Sequence, residues 1–544
     1  MKQLLLLAAT GFLLQTGTSQ QLSKEGTHDI SKKANKGYLY EPKINEEKKE
    51  LEMTYVTKAS GKKAKFETYR FDLDFTFKGM EESEVPLEKI KGYKGDEYTL
   101  NAVTVESNLL GTLVLRRKII TRKWNWFWGG YESKIKLAEK LKPKTEEGDK
   151  MVYIAHTQQD ELETVLIIAG AKGAVREDPW RQYKEFHVLR YDRDLNRVAD
   201  EVIKFETPQY LVGINSMGTD EGEGDAAEDA EETTGQDDIL MLFAPAGGAM
   251  FKKIADPAAT NYTFVRVGYD GKIKERISVP SKAPVFNGDM FLVSGSDVYI
   301  IGATGGGDKS YYNESFADAQ PNSVGRSLQS DNFKAKGFQI VKISGGKVAY
   351  ATITTLAEFE AKAKTPPSQK KKPEYTGKRF RVQDMKLAPN GDFFVAGQKF
   401  NKNKNGTFYE DIIMMHFNNG GALKAAYGVR REENSKGSSG MPNTQLLEFS
   451  KDGSKLYWMI MEMAGLRAEK ELGTSKFKAL VYPSVSKIDI NSAAIGEFVQ
   501  FGQGKTDYYV NNKYPLLPIG KNELVFLGEN KNGKTLWFAK MPLE

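Results

Sequence analysis

The chain contains no cysteine. Disulfides, thiolate metal sites, cysteine nucleophiles, iron–sulfur clusters and lipid anchoring at a cysteine are therefore excluded. Histidine is scarce, with four in 544 residues, which argues against a histidine-rich metal centre. After the first residues no stretch approaches the about 18 continuous apolar residues of a membrane-spanning helix. Neither sign of charge dominates: 78 Lys and Arg stand against 72 Asp and Glu, a formal net charge of +6. Nucleic-acid binding normally needs a concentrated basic face, so no nucleic-acid partner is expected. Also missing are a G-x-S-x-G elbow and an H-E-x-x-H pair. Gly305-Gly306-Gly307 lacks the Lys-Ser/Thr and the helix that a phosphate loop requires.

What is present begins with an export signal. Met1-Lys2 is a short positive start, Leu4 to Leu14 an apolar core, and Gly17-Thr18-Ser19 a run of small residues. This pattern predicts a secretory signal peptide over residues 1–19. Residues 20–37 are polar and lysine-containing and are expected to form a flexible leader. An exported protein without cysteine fits a bacterial periplasm or cell surface.

From residue 38 onward the chain reads as one all-β domain. Tyr69, Phe71, Leu73, Phe75 and Phe77 alternate with polar residues, the period of a half-buried strand. Further on, turn sequences fall into step at Tyr269-Asp270-Gly271-Lys272, Ile343 to Lys347, Phe417 to Gly421 and Ile488 to Asn491. Their spacing is roughly 70–80 residues, a regular repeat period. An apolar strand precedes each turn: Ile239–Phe243, Val298–Gly302, Phe393–Gly397 and Leu456–Met461. Such four-stranded units cannot bury both faces alone, so neighbours must stack, and radial stacking gives a β-propeller. The count of units is seven or eight blades with long inserted loops. The C-terminal unit lacks an outer strand, which an N-terminal segment could supply. Helix is scarce, with Ala357–Ala363 as the short candidate. Two smaller all-β domains are the alternative architecture.

The segment Phe449-Ser450-Lys451-Asp452-Gly453-Ser454-Lys455-Leu456-Tyr457-Trp458 carries a family resemblance, and Leu387 to Gly397 is a weaker copy. Both resemble the F-S-P-D-G-K-x-L-x-F repeat of TolB-like (PD40) β-propellers. The resemblance implies a protein-binding or scaffolding role in the cell envelope.

Two insertions interrupt the repeat. Residues 219–238 are strongly acidic and 362–373 are rich in Lys and Pro. Both read as solvated loops, able to attract one another or a charged partner. The acidic insertion offers Asp220, Glu221, Glu223 and Asp225 as a speculative calcium site, although it lacks the EF-hand ligand pattern. Asp192-x-Asp194-x-Asn196 begins like a calcium loop, but Arg197 stands where glycine is needed, so it reads as a hairpin turn.

Trp124, Trp126 and Trp128 alternate and would share one face of a strand. They read either as inter-blade packing or as a platform for a sugar ring or a protein partner. His28 lies in the leader. His156, His187 and His416 fall in or beside strands, where a histidine is usually a satisfied structural residue. Asp384 and Asp411 are a conceivable hydrolase pair.

These features favour a non-catalytic protein-binding or scaffold propeller of the bacterial cell envelope, with another envelope protein or complex as partner and no cofactor. The rival is an extracytoplasmic polysaccharide- or peptide-binding protein, or a hydrolase, with its site in the propeller channel.

Overall fold

A computed structural model describes residues 20–45, 47–60, 63–86, 98–107, 111–125, 130–159, 164–171, 183–216, 238–245, 261–268, 270–283, 285–305, 335–377, 379–403, 406–430, 441–471, 474–520 and 522–544. Nearly all of these residues lie in antiparallel strands. Two short helices occur, α1 (Lys32–Lys36) and α2 (Leu356–Ala361). A capping box between Thr355 and Glu358 starts α2 near the expected position.

The strands form seven hydrogen-bonded sheets among the described residues. The first holds Tyr38–Asn45, Glu50–Ser60, Lys63–Asp72 and Phe77–Pro86. The second holds three strands, Tyr98–Ser107, Leu113–Asn125 and Gly130–Leu141. The third has seven strands between Val152 and Pro280. In it the long strand Arg197–Ser216 serves two units, pairing with Tyr183–Asp192 through its first half and Ile239–Pro245 through its second. The fourth sheet spans Val285 to Thr355 and the fifth Phe380 to Val429. The sixth is built on the hairpin of Lys455–Glu471 and Thr474–Asp489. The seventh contains Glu523–Asn530 and Thr535–Pro542.

Within each sheet the main strands pair with their neighbours in sequence, and the sheets pack face to face. Leu113 and Leu115 of the second sheet meet Val165, Ile167 and Leu189 of the third. One continuous core joins the third, fourth and fifth sheets through Leu240, Tyr262, Phe286, Ile300, Phe393 and Ile413. The fifth meets the sixth at Phe394, Tyr427 and Trp458. The sixth meets the seventh at Met459, Phe526 and Trp537. The seventh meets the first at Phe538, Leu527, Phe71 and Met53. Serial meander sheets stacked in chain order from the second to the seventh, and from the seventh on to the first, with the chain ends brought together in one of them, are the architecture of a β-propeller.

This stacking explains the apolar strands. Along Lys455–Glu471, Leu456, Trp458 and Ile460 face the fifth sheet, while Tyr457, Met459 and Met461 face the seventh. A strand buried on both faces loses polar alternation and reads as a continuous apolar run. Each large apolar side chain buried this way contributes about 1.5–3 kcal/mol.

The repeated turns share one geometry. At Asp72, Asp192, Asn418 and Ala388 the first residue bonds through its N–H to the carbonyl four residues on, and its own carbonyl accepts the N–H three residues on. The fourth residue has positive φ: Phe75 at 66°, Leu195 at 62°, Gly421 at 79° and Gly391 at 84°. Side-chain carboxylates or amides reinforce the loop. Asp192 Oδ1 accepts from Asp194 N and Asn196 N at 2.9 Å each. Asp72 Oδ1 likewise accepts from Asp74 N and Thr76 N. The Asp192 segment is therefore a hairpin turn. The run Tyr69 to Phe77 is a correction, because it is two strands and a turn and not one strand. Gly453 fills the same role after Asp452, with φ 69°.

The leader is a second correction. Lys24–Asp29 is the outermost strand of the seventh sheet, paired antiparallel with Thr535–Pro542 from Lys24↔Lys540 to Asp29↔Thr535. Ser31 then caps α1 by accepting from Lys33 N and Ala34 N. The strand is polar because one face is open to solvent, and its attachment is made by backbone groups. Gly26 sits so close to Phe75 that a Cβ would lie 2.5 Å from the Phe75 Cβ.

The basic insertion is also held in place where it is described. Ala363–Lys364 pairs in parallel with Ala426 and Tyr427. Lys364 Nζ donates to Ala493 O at 2.6 Å, and Ser368 Oγ donates to Glu497 at 2.7 Å. The segment thus straps the fifth sheet to the sixth.

Candidate functional site

The sequence-derived candidates divide sharply. Asp220, Glu221, Glu223 and Asp225 lie outside the described residues, as do Trp126 and Trp128. Trp124 is placed by its backbone in Leu113–Asn125, opposite Tyr131. Asp238, the last carboxylate of the acidic run, is buried and paired with Arg266 at 2.5 Å and Lys274 at 2.8 Å. No group of three or more potential metal-ligating side chains occurs among the described residues.

Asp384 and Asp411 are not brought together as a catalytic pair. Asp384 accepts from Leu447 N at 3.1 Å, and burial raises its pKa. Asp411 accepts from Glu374 N, on a strand separated from that of Asp384 by Phe393–Asn403. Two strand spacings and three residues of register place their Cα atoms roughly 14 Å apart. Each carboxylate is instead taken up by a backbone N–H, of Leu447 and of Glu374, and not turned toward the other.

Each histidine is packed into the structure. His28 stacks on Phe77 at 4.1 Å and contacts Phe71 at 5.3 Å. His156 Nδ1 is 2.9 Å from the Tyr153 hydroxyl, and burial lowers its pKa. His187 lies between Asp200 at 2.7 Å and Glu185 at 3.0 Å. Burial opposes its charged form, but the bonds and charges of these two carboxylates outweigh burial and raise its pKa.

His416 is fully buried in the fifth sheet. Its Nε2 is 2.8 Å from Asp392 Oδ2 and its Nδ1 is 3.0 Å from the Tyr427 hydroxyl. Burial lowers its pKa to about 4 against the opposing pull of Asp392, helped by the charges of Lys424 and Lys364. The ring is therefore neutral. An ionised carboxylate only accepts, so Nε2–H donates to Asp392 and Nδ1 accepts from the tyrosine O–H. Lys424 Nζ completes the group at 3.1 Å from Asp392. The network closes on itself inside the sheet and stabilises the blade.

The open site is elsewhere, where the chain ends meet. A cavity of ≈ 650 Å³ is lined by three separated segments and the first sheet. Residues 30–39 supply α1 and the entry to the first sheet. The distal part of the 455–489 hairpin supplies Arg467, Ala468, Phe477 and Lys478. The seventh sheet and its loops supply Asn511 to Lys513, Glu529, Asn532 and Gly533.

The hairpin has two unlike faces. On one, Arg467 and Lys478 are cross-strand partners, and both reach Glu529 Oε1, at 2.7 Å and 2.8 Å. Burial would raise the Glu529 pKa, but the charges and bonds of Lys478 and Arg467 hold it below the usual range. Arg467 also donates to Lys531 O at 2.8 Å. On the other face, Leu466 is 60% and Phe477 76% exposed. The carboxylate clamp fixes the arm against the seventh sheet and leaves Leu466 and Phe477 exposed, with Phe477 also lining the cavity. On the far wall, the Asn35 amide, oriented to satisfy both its groups, donates to Gly533 O at 2.9 Å and Asn532 O at 3.2 Å. Sequence reading missed this site because no single segment carries it. The signals available were the unusual length of the 455–489 hairpin and the exposed-type alternation at Leu466 to Ala468.

No family model matches the chain, and no curated protein matches it. Solved structures that align over most of its length include Sqt1 of Saccharomyces cerevisiae, with 7% identity, 96% of this chain and 99% of that chain covered, and a TM-score of 0.29. The apocarotenoid oxygenase of Synechocystis aligns at 10% identity over 80% of this chain and 87% of that one, with a TM-score of 0.27. The N-terminal domain of Nup159 aligns at 9% identity over 96% of each chain, with a TM-score of 0.25. Likenesses this distant carry no argument about function, and the propeller assignment rests on the sheet topology.

Proposed function

We propose that the chain is an exported, non-catalytic, protein-binding β-propeller of the bacterial cell envelope, of the TolB-like repeat type. The observation that carries this reading is the hairpin arm. A binding surface needs apolar anchors that stay exposed before the partner arrives, on a support that does not have to reorganise. Leu466 and Phe477 are such anchors, and Arg467, Lys478 and Glu529 form the support. The signal-like residues 1–19 support export, and the repeat turns at Asn390-Gly391 and Asp452-Gly453 support the repeat type. The buried titratable network around His416 is sealed inside a sheet, where substrate has no access. This favours recognition over catalysis.

The test is the native mass of the tagged chain in mild detergent extracts of its own envelope fraction. The wild type is expected to migrate in a larger assembly, and the double variant Leu466→Asp/Phe477→Asp to migrate as a lone chain with an unchanged melting temperature. A wild type that migrates alone, or a variant that stays in the assembly, refutes docking through this arm. Accumulation of the full-length precursor in the cytoplasm would refute export.

A further inference from the structure

We propose that the cavity at the ring-closing junction binds an acidic sugar, meaning a monosaccharide unit bearing a carboxylate or a phosphate. The inference shares Phe477 with the docking arm and otherwise rests on different residues.

Three properties of the cavity point to that ligand class. The first is charge. Among the described residues four cationic side chains line it, Lys36, Arg467, Lys478 and Lys513, against one carboxylate, that of Glu529. Glu529 is engaged by Arg467 and Lys478 together, so it does not repel an anion. Lys36 is exposed and makes no ion pair among the described residues. The described lining is therefore net cationic, with its carboxylate already paired.

The second property is amide density. Asn512 and Asn532 line the cavity together with Asn511 and Asn35. A side-chain amide presents a donor and an acceptor side by side, which matches neighbouring sugar hydroxyls. Asn511 Oδ1 is used by Lys513 N and Tyr514 N at 2.9 Å each, which fixes the loop and directs its remaining amide group. The Asn35 amide is spent on the 532–533 turn, so Asn512 and Asn532 are the hydroxyl readers.

The third property is ring surface. Tyr38 and Phe477 both line the cavity, and Phe477 is 76% exposed. An aromatic face is a suitable surface for the apolar C–H face of a sugar ring. The volume of ≈ 650 Å³ lies within the range of about 300–1,000 Å³ found for small-molecule sites.

The site also couples to closure of the ring. Its walls come from residues that follow the N-terminal strand and from the C-terminal sheet that this strand completes. A ligand that bridges them stabilises the closed form by mass action.

Isothermal calorimetry on the purified mature chain at low salt, with D-glucuronate and glucose 6-phosphate as probes and D-glucose and inorganic phosphate as controls, tests the proposal. Both acidic sugars are expected to bind at least tenfold more tightly than either control. Lys36→Gln/Lys513→Gln is expected to weaken them at least tenfold, and Phe477→Ala severalfold, with melting temperatures of the free proteins unchanged. Saturating glucuronate is expected to slow tryptic release of the 20–37 segment. Absence of binding, equal binding of inorganic phosphate or glucose, or variants that bind as the wild type does, overturns the proposal. Leu466→Asp, at a position that does not line the cavity, is expected to bind the sugars as the wild type does, so failure of docking and failure of sugar binding are read separately.

Discussion

Acid should loosen the fifth sheet through one residue, His416. In the folded chain its pKa is lowered to about 4, whereas the unfolded chain has the ordinary value of 6.5. Between those values the unfolded state binds the proton and the folded state does not. Stability from this group is therefore complete above pH 6.5 and falls as pH drops toward 4. Each unit of pKa difference is worth 1.36 kcal/mol, so moving from pH 7 to pH 4.5 should remove about 2 kcal/mol through this ring alone. The cause is geometric. A protonated ring would place a second N–H against the Tyr427 hydroxyl, which now donates to Nδ1, and would put a charge in a fully buried site. His416→Gln keeps a donor for Asp392 and an acceptor for Tyr427 but does not titrate. The assay is hydrogen exchange of Phe393–Asn403 and Gly406–Phe417, corrected for intrinsic amide rates, from pH 7 to pH 4.5. Wild type should lose protection more steeply than the variant, by about 2 kcal/mol over that range. Coincident slopes would refute the assignment of a neutral buried ring. His187 acts in the opposite sense, since its raised pKa gives stability below pH 6.5 that is lost as pH rises. Comparing wild type with His416→Gln cancels that background.

Two further outcomes follow from packing at the closure. Glu529→Ala leaves Arg467 and Lys478 facing one another without their carboxylate, and breaking such a pair typically costs about 3–5 kcal/mol. Their partial exposure puts the expected loss at the lower end, and a denaturation midpoint shift worth less than about 1 kcal/mol would show that the arm is held by other contacts. Gly26→Val drives a side chain into Phe75, with an overpacking cost of about 1–3 kcal/mol. Faster proteolysis of the 20–37 segment with little change at the 455–489 hairpin is the expected pattern, and an unaltered cleavage rate would show that the N-terminal strand is not tightly seated.

The all-β propeller class was legible because its signals are local and repeated. The Asp-Gly and Asn-Gly turns and the two-sided apolar strands recur at one period, and the structure places them as hairpins and core strands. The Asp72 turn was less legible. Leu73 and Phe75 continue the apolar alternation of the strand before them, and Phe75 takes positive φ although it is not glycine. The informative signal was Asp72-x-Asp74, the same arrangement as Asp192-x-Asp194. The strand Lys24–Asp29 was illegible for another reason. Its hold on the sheet is mainly a ladder of backbone bonds, to which composition is blind, and its outward face selects for polar residues. The basic strap fails in the same way, because Lys364 and Ser368 are anchored by polar contacts to residues 493 and 497.

The junction of the chain ends is where the physical demands on this fold conflict most. A propeller closed by an N-terminal strand must join segments that meet only after the rest of the chain has folded, and the entropy of closing so long a loop opposes that contact. The chain answers with interactions that reach across the joint from both neighbouring sheets. Trp537 Nε1 donates to Glu25 at 3.0 Å, Tyr514 O–H to Tyr40 O at 2.8 Å, and Ser31 O–H to Glu67 at 2.6 Å. The long sixth-sheet hairpin adds the Arg467–Glu529–Lys478 clamp from the other side. Elements that clamp a joint from outside cannot themselves be covered by it, so the outer face of the clamp and the cavity under it stay open. The exposed anchors at Leu466 and Phe477 and the cationic pocket are thus consequences of how the ring is fastened, which is why both proposed recognition surfaces lie at the closure.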